Sequence, residues 1–123
     1  YNVPVEHTPI ARELLGPGKL LCPELAVVLS TDREEAHAVA RQHLSIYLGL
    51  PNYANGWYRL GFTADDTKDG GSDRLVDALV SWGSVDTIAA AVRAHLDAGA
   101  DHVAVQLLEA DQRALPMDGW RRR

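Results

Sequence analysis

The sequence predicts an α/β fold in which a parallel sheet is packed between helices. Residues 25–29 form an unbroken aliphatic stretch that lacks the polar alternation of a half-exposed strand, and residues 103–108 predict a second strand. An unbroken run of this kind is typical of a parallel strand that is covered on both faces. Between them the apolar residues recur at helical spacing, and a Gly-Ala-Asp step at residues 99–101 leads directly into the second strand. We therefore expect two parallel strands joined by a right-handed crossover.

The composition fits one ordinary globular domain. The chain has 123 residues, of which 46% are hydrophobic, and 12 basic against 17 acidic side chains give a net charge of −5. The apolar content excludes a disordered chain, and the acidic balance argues against nucleic-acid binding. No aliphatic run approaches the roughly 20 residues that a membrane span needs. Cys22 is the only cysteine, which excludes a disulfide scaffold. We expect a cytoplasmic protein that binds neither nucleic acid nor membranes.

Capping residues and glycines predict the first helices. Thr8, which is followed by proline, predicts the start of a helix, and Gly16 predicts its end. After the first strand, Thr31 and Glu34 have the spacing of a capping box. The helix that they open is expected to continue to Gly49, where a glycine is followed by a proline two residues later.

The rest of the crossover carries an insertion and two more helices. Residues 50–72 are irregular and predict short helical pieces joined by turns. Ser72 and Ser84 predict two further helix N-caps, and the helix that Ser72 opens is expected to run through Val80 and to end at Gly83. After the second strand, residues 116–120 predict an incomplete helix, and the arginine run at residues 121–123 is expected to form a solvated face of it.

A sheet of two parallel strands is not stable by itself, because each strand exposes an unpaired edge. We therefore expect other strands to complete the sheet. They would come either from an N-terminal part of the same protein outside these 123 residues or from another subunit. Polar residues between regular strand–helix units favour a partial (β/α)8 TIM barrel as the fold. A complete barrel takes about 250 residues, so residues 1–123 would form the C-terminal part of one such domain.

Six stretches carry a family pattern over nearly the whole chain: VPVEHT (3–8), RELLGPG (12–18), HLSIYLGLPNY (43–53), LGF (60–62), GSDRLVDALV (71–80) and HLDAGADHV (95–103). Taken together they resemble the C-terminal half of luciferase-like oxidoreductases, and above all the deazaflavin (coenzyme F-420)-dependent group of actinobacteria. The fold that this resemblance implies is a (β/α)8 barrel with insertions. Residues 25–29 would be its strand seven, and residues 103–108 its strand eight.

The resemblance implies an enzyme that transfers a hydride between reduced coenzyme F-420 and a small organic substrate. An FMN-dependent luciferase-like monooxygenase is the alternative within the same family. In that family the cofactor phosphate binds to loops after earlier strands, so we expect this chain alone to be inactive and to bind no cofactor. A different class also stays open, namely a non-catalytic α/β module that self-associates. In either case we expect a homo-oligomer.

Five residues are candidates for a position near the substrate or the cofactor: Tyr1, Glu6, His7, Tyr53 and Asn55. By the resemblance, the first three follow strand six, at the face where barrel active sites form. The other two lie in the insertion, where aromatic and amide side chains can hold a ligand. The competing interpretation is structural, with the first group in a surface loop and the second group packing the insertion onto the barrel.

No side chain stands out as a catalytic acid, base or nucleophile, as expected where a cofactor carries the chemistry. His37 and His43 are six residues apart and point to different sides of one helix, so we expect no metal site. Ser30, Thr31 and Glu109 follow strands, where active-site residues of barrels also occur. Helix capping is a sufficient explanation for the first two of these.

Overall fold

The structure, a computed structural model, describes residues 1–121. Arg122 and Arg123, which end the arginine run discussed above, lie outside the described residues. None of the helices in the described range is long and apolar enough to cross a membrane. The elements in chain order are α1 (His7–Leu15), β1 (Glu24–Val28), α2 (Arg33–Leu48), α3 (Pro51–Arg59), a 3-10 helix (Ala64–Thr67), α4 (Asp73–Leu79), β2 (Val80–Trp82), α5 (Val85–Asp97), β3 (Ala104–Leu107) and α6 (Met117–Trp120).

The three strands form one open, parallel sheet in the order β2-β1-β3. β1 is the central strand: Ala26 pairs with Val80 of β2, and Val27 pairs with Leu107 of β3. The predicted α/β fold and the parallel pairing of the two predicted strands are therefore confirmed. Residues 1–121 form an open sheet interleaved with helices and show no barrel.

The two faces of β1 enter two different cores, because successive side chains of a strand point to opposite faces. Ala26 and Val28 belong to a buried cluster with residues of α2, α3 and α4. Leu25 and Val27 belong to a second cluster, which includes Ile88 of α5. Helices therefore cover both faces of this sheet. In a (β/α)8 barrel, by contrast, the helices form an outer ring and the inner face is filled by strand side chains.

β3 is the least covered strand of the sheet. Its residues Ala104 and Gln106 are exposed, and no strand of residues 1–121 lies beyond it. The backbone N–H groups of Ala104 and Leu108 donate to carbonyl oxygens of the β1 segment at 2.9 and 2.8 Å. The alternation of a parallel ladder then turns the N–H groups of Val105 and Leu107 away from β1. The outer edge of β3 is thus open for pairing.

The sequence prediction missed β2. It extends the helix after Ser72 through Val80 to Gly83, whereas α4 ends before Val80 and the chain then pairs with β1. Val80 and Trp82 favour extended backbone because one is β-branched and the other aromatic, but three residues are too few to show a strand period. Gly83 makes the turn after β2 at a φ of 135°, and a Cβ there would lie 3.2 Å from the Thr87 side chain.

Asp32, and not Thr31, is the N-cap of α2. The Asp32 carboxylate accepts the backbone N–H of Glu35 at 3.0 Å, and the Ser30 hydroxyl donates to the Glu35 carboxylate at 2.5 Å. The predicted capping box of Thr31 and Glu34 is therefore wrong by one residue. Thr and Asp are both good N-caps, so a sequence that offers both side by side leaves the choice to the tertiary structure.

The two serine caps are confirmed. The Ser72 hydroxyl accepts the backbone N–H of Leu75 at 3.1 Å, and the Ser84 hydroxyl accepts that of Thr87 at 3.2 Å. The helical pieces expected within residues 50–72 are also present, as α3 and the 3-10 helix. Local capping chemistry therefore predicts these boundaries correctly where only one candidate side chain is available.

Thr8 is a buried side chain and not the N-cap of α1, which begins one residue earlier. Its Oγ1 lies 2.8 Å from Nδ1 of the buried His95, and this contact links α1 to α5. Burial lowers the pKa of His95, which favours the neutral ring. Arg12 of α1 also forms an ion pair with Asp101, which follows α5. A hydroxyl that a distant histidine can bind need not cap its own helix.

Candidate functional site

A cleft of about 780 Å³ lies at the carboxyl ends of the three strands. We call it the carboxyl-end cleft; its walls include residues 29–31, 83–85 and 108–111, which follow β1, β2 and β3. The connection after β1 runs over one face of the sheet and the connection after β2 runs over the other, as the two clusters show. Open α/β sheets bind ligands at such a switch point between neighbouring strands.

The polar groups of the carboxyl-end cleft are hydroxyls and carboxylates. No Lys or Arg of residues 1–121 is among its lining residues. The cleft therefore offers hydrogen-bond acceptors to the hydroxyl or amino groups of a ligand, and its charge opposes the binding of a phosphate. The side chains that carry these polar groups are Ser30, Thr31, Glu35, Ser84, Glu109 and Asp111.

Gly119 allows α6 to close one side of this cleft. It is buried, and a Cβ at this position would lie 2.3 Å from a methyl carbon of Leu107. The Glu109 carboxylate lies close by, with Oε1 3.2 Å from the same point. A hydrogen atom in place of a methyl group is therefore what lets α6 pack directly on the end of β3.

A polar network joins α2, α4 and the end of β2 beside the cleft. The buried His37 places Nε2 2.7 Å from Asp77 and Nδ1 3.3 Å from Asp73. Trp82 donates its indole N–H to the same Asp77 carboxylate at 2.9 Å. A hydrogen bond from Arg41 lowers the pKa of Asp73. This network fixes the turn that carries the β2 wall of the cleft. No group of three or more side chains that could hold a metal ion occurs within residues 1–121.

Three of the five predicted site residues meet in a second, smaller cavity. Tyr1, His7 and Tyr53 line a space of about 260 Å³ together with Asn2 and Trp57, and we call it the aromatic pocket. The ring centroids of Tyr53 and Trp57 are 6.2 Å apart, and those of Tyr1 and Tyr53 are 6.4 Å apart. These separations are typical of rings that contact each other.

The aromatic pocket lies at the amino end of the sheet, opposite the carboxyl-end cleft. Tyr1 also lines a separate cavity, together with Glu24 and Ala104, the first residues of β1 and β3. A hydrogen bond with Tyr47 at 2.7 Å, together with burial and the Glu24 charge, raises the pKa of the Tyr1 phenol. The resemblance, by contrast, places Tyr1 after strand six at the carboxyl face of a barrel.

Asn2 is a buried residue in the wall of the aromatic pocket. Its side chain and backbone are 4% exposed, and its φ of 50° is in the left-handed region. The Trp57 indole N–H donates to the Asn2 carbonyl oxygen at 2.8 Å, and His43 Nε2 donates to Asn2 Oδ1 over 3.4 Å. Burial lowers the pKa of His43, which favours the neutral ring. The buried Asn2 Nδ2 has no hydrogen-bond partner among the described residues.

The remaining two predicted site residues lie outside both cavities. Glu6 is exposed, and its charge acts on the buried His95, partly opposing the effect of burial on the pKa of that histidine. Asn55 is exposed on α3 and does not line the aromatic pocket, although Tyr53 and Trp57 on the same helix do. The proposed roles of these residues stay predictions.

Sequence reasoning missed the β2 wall of the cleft and the importance of Asn2. The first was missed because β2 was not predicted, so Gly83 and Ser84 were not placed at the end of a strand. Asn2 has only a weak signal in the sequence: asparagine is one of the few residues that adopt the left-handed region readily. Nothing in the sequence places its backbone carbonyl beside Trp57, 55 residues away.

Comparison of the chain with protein-family models, with curated proteins and with solved structures gives no match.

Proposed function

We propose that this chain is the C-terminal part of a deazaflavin-dependent, luciferase-like oxidoreductase. The complete enzyme would transfer a hydride between reduced coenzyme F-420 and a small organic substrate. One observation supports this most: β1 and β3 are parallel neighbours, although four helices, a 3-10 helix and β2 separate them along the chain. These are the segments that the resemblance makes strands seven and eight, and consecutive strands of a (β/α)8 barrel are neighbours.

The open edge of β3 supports the same proposal. In a closed barrel, strand one pairs with the outer edge of strand eight, and the N–H groups of Val105 and Leu107 are available for that pairing. The barrel also requires a rearrangement at the other edge of β1, where strand six belongs and β2 now pairs with residues 26–28. β2 is three residues long, so few hydrogen bonds oppose its replacement.

The residues of the carboxyl-end cleft do not fit the phosphate-bearing part of the coenzyme, because the cleft is lined by carboxylates and by no basic side chain of residues 1–121. This agrees with a cofactor phosphate that is held by the loops of earlier strands. The contribution of this chain would then be the substrate side, where Ser84 and Glu109 can accept hydrogen bonds.

Coenzyme titrations test the proposal. Coenzyme F-420 and FMN are each added to this chain and to a protein that carries all eight strand–helix units, and the visible absorption band and fluorescence are recorded. We expect F-420 to bind to the eight-unit protein and neither coenzyme to bind to this chain. Tighter binding of FMN would favour the monooxygenase alternative. Binding of F-420 by this chain alone, or no binding by the eight-unit protein, would overturn the proposal.

A non-catalytic, self-associating module is the second candidate, and the exposed Ala104 and Gln106 next to an open edge favour it. Such edges pair readily with other chains. Light scattering on this chain over a hundredfold range of concentration distinguishes a monomer from a self-associated form. Replacement of Val105 by proline removes an outward N–H group and should shift the mass to that of a monomer. A wild-type chain that is monomeric at every concentration would exclude the module.

A further inference from the structure

We propose that the strand which completes the sheet at the open edge of β3 carries lysine or arginine side chains at its carboxyl end, where it passes Glu109 and Asp111. The inference rests on the proposed function for the source and direction of this strand, which would belong to the N-terminal part of the same barrel and run parallel to β3. The new element is the charge of the partner strand.

A groove follows the whole outer edge of β3. One cavity of about 410 Å³ is lined by residues 104–106, and a second of about 370 Å³ is lined by residues 105–108. The two cavities overlap at residues 105 and 106, and we call them together the edge groove. Pro116 and Trp120, which is 53% exposed, line the carboxyl half of the edge groove. A strand that pairs with the outward N–H groups of β3 therefore has room beside it and an apolar wall to contact.

The sequence of β3 does not protect its open edge. Residues 103–108 contain no proline and no charged side chain. Natural proteins commonly place lysine or proline on an edge strand that stays free, because these residues prevent pairing with another strand. An edge without such residues indicates that a partner strand covers it.

The charged side chains of the edge groove are acidic. Glu109 and Asp111 line its carboxyl end; both are exposed, and neither forms an ion pair within residues 1–121. Glu24 lies at the other end, where burial raises its pKa and the amino group of Tyr1 opposes this effect. No Lys or Arg of the described residues lines the groove. Two carboxylates beside an open edge attract a basic side chain and repel an acidic one.

A second copy of β3 does not supply the basic side chains. Residues 94–112 contain no lysine or arginine. Two β3 strands that pair in antiparallel fashion about Val105 would place Asp101 of one copy opposite Glu109 of the other, and like charges directly opposite each other are destabilising. The charges of the edge groove therefore favour a different strand over self-association.

Synthetic peptides test the inference on this chain. Three eight-residue peptides with blocked termini share alternating valine and threonine; they carry two lysines at the carboxyl end, two lysines at the amino end, or two glutamates at the carboxyl end. Binding at low salt is followed by NMR, through the backbone amide of Val105 and the indole N–H of Trp120. We expect the peptide with carboxyl-terminal lysines to shift both signals and to bind at least tenfold more tightly than the glutamate peptide. Equal affinities of these two peptides, or an unshifted Val105 signal, would overturn the proposal.

Two double variants locate the charge contact. Glu109→Gln combined with Asp111→Asn should reduce the preference for carboxyl-terminal lysines over glutamates to less than threefold. Glu13→Gln combined with Asp97→Asn removes two exposed carboxylates outside the groove and should leave the preference unchanged. If the groove variant instead weakens only the peptide with amino-terminal lysines, the strand runs antiparallel and the proposal is wrong. The coenzyme titrations do not involve these peptides, so a failed charge preference would refute this inference and leave the oxidoreductase proposal standing.

Discussion

The two ends of the sheet are built from different kinds of residue. At the amino end, aromatic side chains contact each other around Trp57, which is 1% exposed. At the carboxyl end, hydroxyls and carboxylates on exposed loops surround an open cleft. Buried rings stabilise through the area they remove from water, whereas loop hydroxyls act mainly through single hydrogen bonds and helix caps. Substitutions at the amino end should therefore affect folding most, and those at the carboxyl end should affect it least.

The largest effect is expected from Trp57→Ala at the amino end. The indole is part of the cluster that joins α2, α3 and α4 to the sheet, and its N–H holds the Asn2 backbone. We expect the free energy of unfolding to fall by about 3–5 kcal/mol, as for large aromatic residues in other cores. Urea denaturation followed by circular dichroism measures this. Trp57→Phe keeps an aromatic ring, although a smaller one, and loses the hydrogen bond, so its free energy of unfolding should fall by less. An alanine variant as stable as wild type would refute the comparison.

A smaller loss is expected from Gly119→Ala, which places a methyl group where Leu107 packs at the side of the carboxyl-end cleft. Either α6 or the leucine side chain has to move. Overpacking of this kind costs about 1–3 kcal/mol. Thermal unfolding and the NMR signals of the Leu107 methyl groups measure the effect. Asp118→Ala on the same short helix, exposed in the structure, is the control; unchanged Leu107 signals in Gly119→Ala would contradict the packing described here.

A still smaller effect is expected at Ser84, the N-cap of α5 on the rim of the cleft. Ser84→Ala removes the acceptor for the Thr87 N–H and should cost about 1 kcal/mol, whereas Ser84→Gly should cost a few tenths. Equilibrium unfolding of both variants provides the measurement. An alanine variant that is no less stable than the glycine variant would show that the cap contributes nothing here.

The pH dependence of stability tests two buried histidines, His43 at the amino end and His95 of α5. Burial lowers the pKa of His43 and His95 below the ordinary value of 6.5. As the pH falls below about 6.5, the unfolded chain takes up protons that the folded chain does not, so the free energy of unfolding decreases. His43→Gln and His95→Gln should each reduce this slope. An unchanged slope in both variants would show that neither histidine is responsible.

The sequence predicts the parts of the fold that depend on local chemistry. The strands around residues 25–29 and 103–108 and the caps at Ser72 and Ser84 were predicted because aliphatic runs and capping side chains act on their own neighbours. β2 was not predicted, because a three-residue strand forms through its partner β1. Thr8 was placed wrongly for the same kind of reason, since its hydroxyl binds His95 and not its own helix.

The candidate sites were predictable only in part. Aromatic and amide residues drew attention to Tyr1, His7 and Tyr53, and the structure brings these three together. The unpaired amide of Asn2 depends on contacts with His43 and Trp57 that no local pattern contains. Residue types therefore indicate which side chains can bind, while the tertiary contacts decide which of them meet.

Amide hydrogen exchange at Val105 and Leu107 tests most directly the claim that the sheet continues beyond β3. Both N–H groups face away from β1, so they should exchange rapidly in this chain at concentrations where it is monomeric. In the protein with all eight strand–helix units, pairing with another strand should slow both by at least a hundredfold, while the already bonded Gln106 amide changes little. Equally rapid exchange of Val105 and Leu107 in the two proteins would contradict the account.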